Sequence, residues 1–477
     1  MKVVLVNPPS TTEERYGVHF RSGGMTPPLG LACLASVIRE YGHDVRVVDG
    51  ALSNNYQEVV NDILSEYPQY VGITASTMSV HNANKIARMV KQSGLLVTTI
   101  IGGPHLTAVP EETMDKFPEF DIGVIGEAER TIVELLDTLI DNKDISLVKG
   151  IIHRYDGQPK RTPTREYIND LDGLPMPAWD LLPDLVKNYC PPAHTVKRIP
   201  AALLVTSRGC PGKCTFCDRS VFGNRIRAYS AGYVLGMMHL LHDHYGIREF
   251  QFRDDNFLAF RKRLVDMCTM LASDRLDVTW SVAGRVDMVN LEILGMMKSA
   301  GCWQIWYGVE SGSQRILDSI QKQTTLEKIE RAVKMTRDAG IEVGGFFMLG
   351  MPTETGEDVE ATIQLSRKLE LNDAHFTFFT PLPGCEVHKT AKQYGTFDSD
   401  WQKANMWNPV FVPSTMTEET LVRYWKRATM GFYLRPRVIL SYARKIRSWR
   451  HIKVYLSGVL SLLEAVFVKK YHKESKA

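Results

Sequence analysis

Three of the chain's eight cysteines, Cys210, Cys214 and Cys217, stand together in the run TSRGCPGKCTFCD from Thr206 to Asp218. A C-x3-C-x2-C loop offers three thiolates, which hold three irons of a cubane 4Fe-4S cluster and leave the fourth iron open to a ligand from elsewhere. Zinc is the competing reading, but zinc takes four ligands, commonly from paired C-x2-C units, and no fourth Cys or His lies in the loop. Gly209, Pro211 and Gly212 let the backbone wrap closely around a bulky group. The other cysteines, Cys33, Cys190, Cys268, Cys302 and Cys385, are scattered and read as small buried apolar residues.

The elements that must position this loop follow a βα rhythm. From Ala201 six apolar runs (AALLVTSRGC, REFQFRDDN, VTWSVAGRVD, CWQIWYGVES, EVGGFFMLGMP, AHFTFFTPLPG) each end in polar or glycine residues and are separated by helical segments. Six such units predict a partial (β/α)6 TIM-type barrel with its active site at the strand carboxyl ends, where the cysteine loop falls. Ahead of it, KVVLVNPP, DVRVVDG, YVGITAST, VTTIIGGPH and DIGVIGEAE alternate with amphipathic stretches, the pattern of a Rossmann-like doubly wound parallel sheet. Ligands of such sheets bind beyond the strand carboxyl ends, at NPP, GGPH and GEAE. GIIHRYDGQPKR reads as a hairpin turning at Asp156-Gly157, and the proline-rich Leu171 to Pro183 as a linker. The chain therefore divides into 1–150, a hairpin and linker over 151–195, a barrel over 196–395, and a mainly helical 396–477.

Composition restricts the function classes. With 44% hydrophobic and 23% charged residues among 477, the chain is a folded α/β protein, not a disordered one. Met1 to Asn7 is too short an apolar run for a secretion signal, so a cytoplasmic location and unpaired thiols are expected. Neither G-x-x-x-x-G-K-S/T nor G-x-G-x-x-G after the first strand is present, which removes support for ATP or NAD. Leu434 to Ala477 holds eleven Lys and Arg against two acids, a local charge of +9 that leaves −6 on the rest of a chain whose total is +3. That basic end, with the apolar run Val454 to Val468, is the composition of a helix lying on an anionic membrane, peripheral at its inner face; a solvated helix packed on the barrel is the alternative. Nucleic acid is the weaker partner, because no RNA-binding module is visible.

The cysteine loop resembles the signature of the radical S-adenosylmethionine (SAM) superfamily. The resemblance implies that the SAM methionyl amine and carboxylate chelate the open iron, and that an electron from the cluster cleaves the sulfonium to a 5′-deoxyadenosyl radical. By the same resemblance Glu310 in YGVESGSQ contacts SAM, Arg285 in AGRVD and Asp254 with Asp255 in FRDDN occupy pocket positions, and Gly350 in MLGMP belongs to the stretch that receives adenine. NPP, PPLGLACLAS, GGPH, GEAE and LPMPAWDL are similar to the cobalamin-binding domain that precedes the barrel in one branch. Gly102, Gly103, Thr74, Ser76 and Thr77 would then line the corrin and its nucleotide tail. No histidine fits D-x-H-x-x-G, so cobalamin is expected without a histidine ligand from that motif.

Within the superfamily, the cysteines are too few for the second cluster of methylthiotransferases or for an auxiliary cluster after the barrel. Two reactions remain: methylation of an unactivated carbon through methylcobalamin, or oxidative ring closure as in relatives of the anaerobic magnesium-protoporphyrin monomethyl ester cyclase. The expected substrate is a small or lipid-like molecule, isoprenoid or tetrapyrrole among them, and the expected electron donor is a flavodoxin or ferredoxin. A non-catalytic cobalamin or Fe-S sensor is the remaining class; it predicts cluster assembly without SAM cleavage.

Overall fold

A computed structural model describes residues 1–445 except 193, 194 and 275, together with 458 and 460. The first sheet has seven strands: β1 (Lys2–Asn7), β2 (Asp44–Asp49), β3 (Tyr70–Thr74), β4 (Thr98–Gly102), β5 (Ile122–Val124), β6 (Ile151–Tyr155) and β7 (Gln158–Arg161). Their order is β2-β1-β3-β4-β5-β6-β7. The first five run parallel, and the Asp156-Gly157 hairpin adds β6 and β7 antiparallel at one edge. Val3 and Leu5 of β1 pack into one core and Val4 and Val6 into another. A strand with helices on both faces needs such an unbroken apolar run.

After β8 (Ala201–Leu204) the chain makes a short antiparallel ribbon, β9 (Ser207–Arg208) with β10 (Arg227–Ala228). Five parallel strands follow: β11 (Glu249–Phe252), β12 (Thr279–Gly284), β13 (Cys302–Glu310), β14 (Glu342–Leu349) and β15 (Asp373–Phe378). With β8 they form one six-stranded sheet in sequential order, the expected half barrel. Alternate residues such as Phe250, Phe252, Trp280, Val282, Ile305, Tyr307, Phe376 and Phe378 join the core shared with the outer helices. Their neighbours line the concave side.

Among the ties that hold the two sheets together in the described residues, three stand out. The linker packs closely: Trp179, Leu182, Leu185 and Tyr189 are part of the core that also contains the barrel strands. Tyr189 donates to Asp49 Oδ2 over 2.7 Å, and Cys190 bridges to Met25. From the far end of the chain, before the hairpin β16 (Gly395–Phe397) and β17 (Phe411–Pro413) closes, Trp401 inserts into the core of the first sheet. It lies edge-on to His105, with ring centroids 4.3 Å apart, and Lys116 Nζ stands 4.1 Å from its centroid. Burial of such a ring is worth about 3–5 kcal/mol by the scale of Trp→Ala losses. The third tie is ionic and belongs to the site.

The helix Glu418–Tyr433 packs on β15. Trp425 and Phe432, aromatics that precede the basic tail, are buried there, and the Trp425 indole N–H donates to the Phe376 carbonyl over 2.8 Å. They are core residues, not a membrane face. The helix Pro436–Lys445 buries Val438 and leaves Ile439 and Leu440 about half exposed. The rest of the basic tail, including the run Val454 to Val468 except for 458 and 460, lies outside the described residues. Among the described residues no helix is long and apolar enough to cross a membrane.

Candidate active site

The cysteine loop leaves β8 at the carboxyl end of the half barrel, at the strand end where the βα rhythm puts it. Gly209 takes φ +82°, and a Cβ there would come within 2.5 Å of the Arg225 carbonyl oxygen. Its N–H donates to Asp255 Oδ2 over 3.1 Å. Cys210 is half-buried, Cys214 buried and Cys217 exposed. A Cβ on Gly212 would stand 3.4 Å from Cys210 Sγ, 3.9 Å from Cys214 Sγ and 3.7 Å from the Arg285 guanidinium, so the glycine keeps that space clear. Among the described residues no three His, Cys, Asp or Glu side chains converge on a single-ion position. The donor set is three thiols, two of them flanking a gap that a methyl group would fill, which fits a multi-iron group.

Two cations offset the thiolate charge. Arg285 Nη1 lies 3.9 Å from Cys214 Sγ, and the same guanidinium pairs with Asp287 and donates to the Lys322 carbonyl. Lys322 Nζ donates to Glu310 Oε1 over 2.7 Å, and both side chains are buried. The Cys214 thiol is held below its usual value, by a hydrogen bond from Cys217 and, against the opposing effect of burial, by Lys322 and Arg285. Glu310 itself has φ +66°, an uncommon conformation for a residue with a side chain, at a register shift in β13. Gly308 beside it would place a Cβ 2.7 Å from Lys322 Nζ. The structure thus brings together Cys210, Cys214, Cys217, Arg285 and Glu310, and adds Lys322, which lies beyond the short helix Gln314–Ser319 and carried no sequence signal beyond its charge.

Two expected residues stand elsewhere. Asp254 is buried beneath the loop: its carboxylate accepts from the N–H of Thr206 and Ser207 and from the Thr206 hydroxyl, and faces Arg263 at 3.6 Å. Both oxygens are occupied by protein donors, so it supports the loop and does not reach the mouth; Asp255 is the one that touches it. Gly350 is a turn glycine, with φ +84° and Leu421 packed where its Cβ would be. Its N–H donates to the buried Glu354, which burial pushes up to about 8.

In the first sheet the ends of β3 and β4 meet. Gly103, at φ +103°, would place a Cβ 2.8 Å from the Ala75 carbonyl oxygen and 2.9 Å from Thr74 Oγ1, and next to it Gly102 accepts the Ala75 N–H over 2.9 Å. Ser76 Oγ lies 3.0 Å from Ser79 Oγ, and Thr77 Oγ1 lies 3.2 Å from His105 Nδ1. The strand ends pack too closely here for a Cβ on Gly103, and Thr74 beside it is half-buried. His105 is buried, and burial, aided by His81 and Lys116, lowers its pKa from 6.5 to about 3. The unfolded chain takes this proton below about 6.5 and the folded one does not. The contribution to stability is therefore complete above 6.5 and is lost as pH falls towards 3. His105→Phe is expected to reduce the drop in urea midpoint between pH 7.5 and pH 5; an unchanged drop would refute this.

GEAE, expected at a ligand-binding strand end, does something else. Glu127 pairs with Arg227 at 2.5 Å and with Arg208 at 3.6 Å, and Glu129 pairs with Arg208 at 2.5 Å. All four side chains are buried. Arg208 sits two residues before Cys210, so the acids of the first sheet grip the root of the cysteine loop.

Two family models match the chain, the B12 binding domain over residues 17–136 and the radical SAM superfamily over 204–366. The uncharacterized methyltransferase PH0819 of Pyrococcus horikoshii is 36% identical over 92% of this chain and 94% of its own length. The anaerobic magnesium-protoporphyrin IX monomethyl ester cyclase of Rubrivivax gelatinosus is 27% identical over 99% of this chain and 84% of its own. Among solved structures, the cobalamin-dependent SAM radical enzyme OxsB with aqua-cobalamin and SAM bound superposes with TM-score 0.73 at 18% identity, over 98% of this chain and 72% of that one. The chain belongs to the B12-binding radical SAM enzymes, in the branch that contains the methyltransferases.

Proposed function

We propose that this chain is a cobalamin-dependent methyltransferase that acts on an unactivated carbon of a small organic substrate, with 1–150 as the cobalamin domain and 196–395 as the radical SAM barrel. Bound cluster and cobalamin supply, respectively, the electron that cleaves SAM and a methyl carrier. The observation that carries the reading is the mouth of the half barrel, where Cys214 lies beside Arg285 and the buried Glu310–Lys322 pair. Cys210, Cys214 and Cys217 hold the cluster. Glu310, Lys322 and Arg285 orient SAM by offering one carboxylate and two cations to its polar ends. Gly102, Gly103, Thr74, Ser76 and Thr77 line the cobalamin cradle, whose small residues exclude bulk and not charge.

Anaerobic reconstitution with iron, sulfide and cobalamin, followed by dithionite and methyl-labelled SAM, tests this. Formation of 5′-deoxyadenosine with label on cobalamin is expected; cluster assembly without SAM cleavage would turn the reading to a sensor. A flavodoxin or ferredoxin is the proposed physiological donor, tested by replacing dithionite with either. Contact with an anionic membrane is supported by the basic tail and by half-exposed Ile439 and Leu440. Deleting 434–477 should then abolish sedimentation with phosphatidylglycerol vesicles, and unchanged sedimentation would remove the membrane from the account.

A further inference from the structure

The concave side of the half barrel carries residues that neither the cluster loop nor the SAM mouth uses. On β11, Phe250 and Phe252 face the helices, so Gln251 and, just past the strand end, Arg253 face the concave side. Arg253 is open to solvent and donates from Nη2 to Gln251 Oε1 over 2.7 Å. Gln251 in turn is fixed by donating to the Thr195 carbonyl over 2.6 Å. Among the described residues no ion pair joins Arg253 to a carboxylate, and its polar neighbours are Gln251 and the Tyr16 phenol. Glu249, the acid on the same face of β11, lies four residues earlier and is occupied by Thr279 and the Trp303 indole N–H. A guanidinium inside a barrel normally has a carboxylate beside it.

Across the same concavity stands a wall of rings. Trp306 of β13 lies over Gly344 of β14, where a Cβ would come 2.3 Å from the indole. Its ring stacks on Phe346 at 5.0 Å with 25° between planes, and His375 of β15 is 4.6 Å from it. Trp306 is oriented by its indole N–H, which donates to Gln304 Oε1 over 2.9 Å. Trp306 is buried and Phe346 and His375 are half-buried, and the three rings pack on one another apart from the clusters that take their sequence neighbours Ile305, Tyr307, Phe347, Ala374 and Phe376. Asp255, two residues after Arg253, holds Gly209 of the cysteine loop. The strand register Phe252↔Val282↔Ile305 puts Trp306 and Arg253 one step further on, at the same level of the barrel.

We propose that this concavity is the substrate site, and that it selects an organic oxyanion, a carboxylate or a phosphate ester, carried on an apolar ring-bearing body. Arg253 receives the oxyanion through paired N–H donors, and the Trp306–Phe346 stack receives the body. The inference rests on the methyltransferase reading and narrows its substrate. Because the anion is held by the residue two positions before Asp255, the body's carbons extend across the barrel beneath the cysteine loop, where a radical formed from SAM would meet them.

The test uses the reconstituted full chain and three probes with one body: 2-naphthoate, 2-naphthyl phosphate and the neutral 2-naphthalenemethanol, titrated calorimetrically. The wild type should bind at least one of the anions about tenfold or more tighter than the neutral probe, the scale of a charge-assisted pair. Which anion wins assigns the headgroup. Arg253→Gln should erase the preference, Arg253→Lys should restore part of it, and Phe346→Ala should weaken all three probes alike. Inorganic phosphate should displace the anions from the wild type and leave the neutral probe bound, a result that does not depend on any variant folding. Equal binding of anions and neutral probe to the wild type, or a preference that survives in Arg253→Gln, overturns the proposal. SAM cleavage by the same preparation is scored separately: an anion preference without 5′-deoxyadenosine would count against the methyltransferase reading and in favour of the anion site.

Discussion

Cys214→Ala, reconstituted beside the wild type, is expected to lose the cluster's visible absorption and to cut 5′-deoxyadenosine formation by a factor on the order of 10³ or more, the scale of losing a member of a reacting constellation. Cys214 is the informative choice because it is the buried thiol, with Arg285 and Lys322 placed to stabilise its charge. Removing it discards a ligand and leaves two cations facing a gap. Cys268→Ala is the matched comparison, since Cys268 is also buried but belongs to the hydrophobic core. It should keep its iron. Iron and sulfide analysis of both variants decides the matter: equal iron in the two would remove Cys214 from the cluster.

Glu127→Ala should be the most destabilising change outside the cores, by about 3–5 kcal/mol in urea unfolding, because it breaks a buried ion pair from one side. The four-membered group of Glu127, Glu129, Arg208 and Arg227 is neutral as it stands, and the substitution leaves a net positive charge in a buried place. Arg227 keeps its bonds to the carbonyls of Ile168 and Phe222 and its place over the Tyr167 ring, but no carboxylate. Glu127 also loses its acceptor role for the Ile168 N–H. A companion Arg227→Met should recover part of the loss, since the pair is then removed together. Additive losses in the double variant would show that the two residues do not act as a pair.

Much of the site was legible because its signal is local. Three cysteines within eight residues need no knowledge of the fold, and the strand ends follow from buried runs separated by helices. The choice within FRDDN failed on parity. Counting from Phe250 and Phe252 in steps of two puts Asp254 on the helix-facing side and Arg253 on the concave side, and that count was available from the sequence. Charge alone drew attention to the aspartates. Lys322, Glu127 and Trp401 are a different case. Their partners Glu310, Arg227 and His105 lie 12, 100 and 296 positions away, and no periodicity links such positions before the chain is folded. GEAE was placed correctly at a strand end, yet whether its acids face a ligand or a guanidinium depends on what the second sheet brings against them.

The seating of Trp401 has a consequence for biogenesis. Every other member of the second core of the first sheet has been synthesised by Ile152, whereas the indole that closes it comes after the entire half barrel. At 5–20 residues per second the ribosome needs roughly 12–50 s to make the intervening chain. During that interval His105 and Phe117 border an open notch instead of a filled one. The front domain of this enzyme is thus finished by its rear, and a nascent chain stalled within the barrel would present a first sheet still lacking one wall.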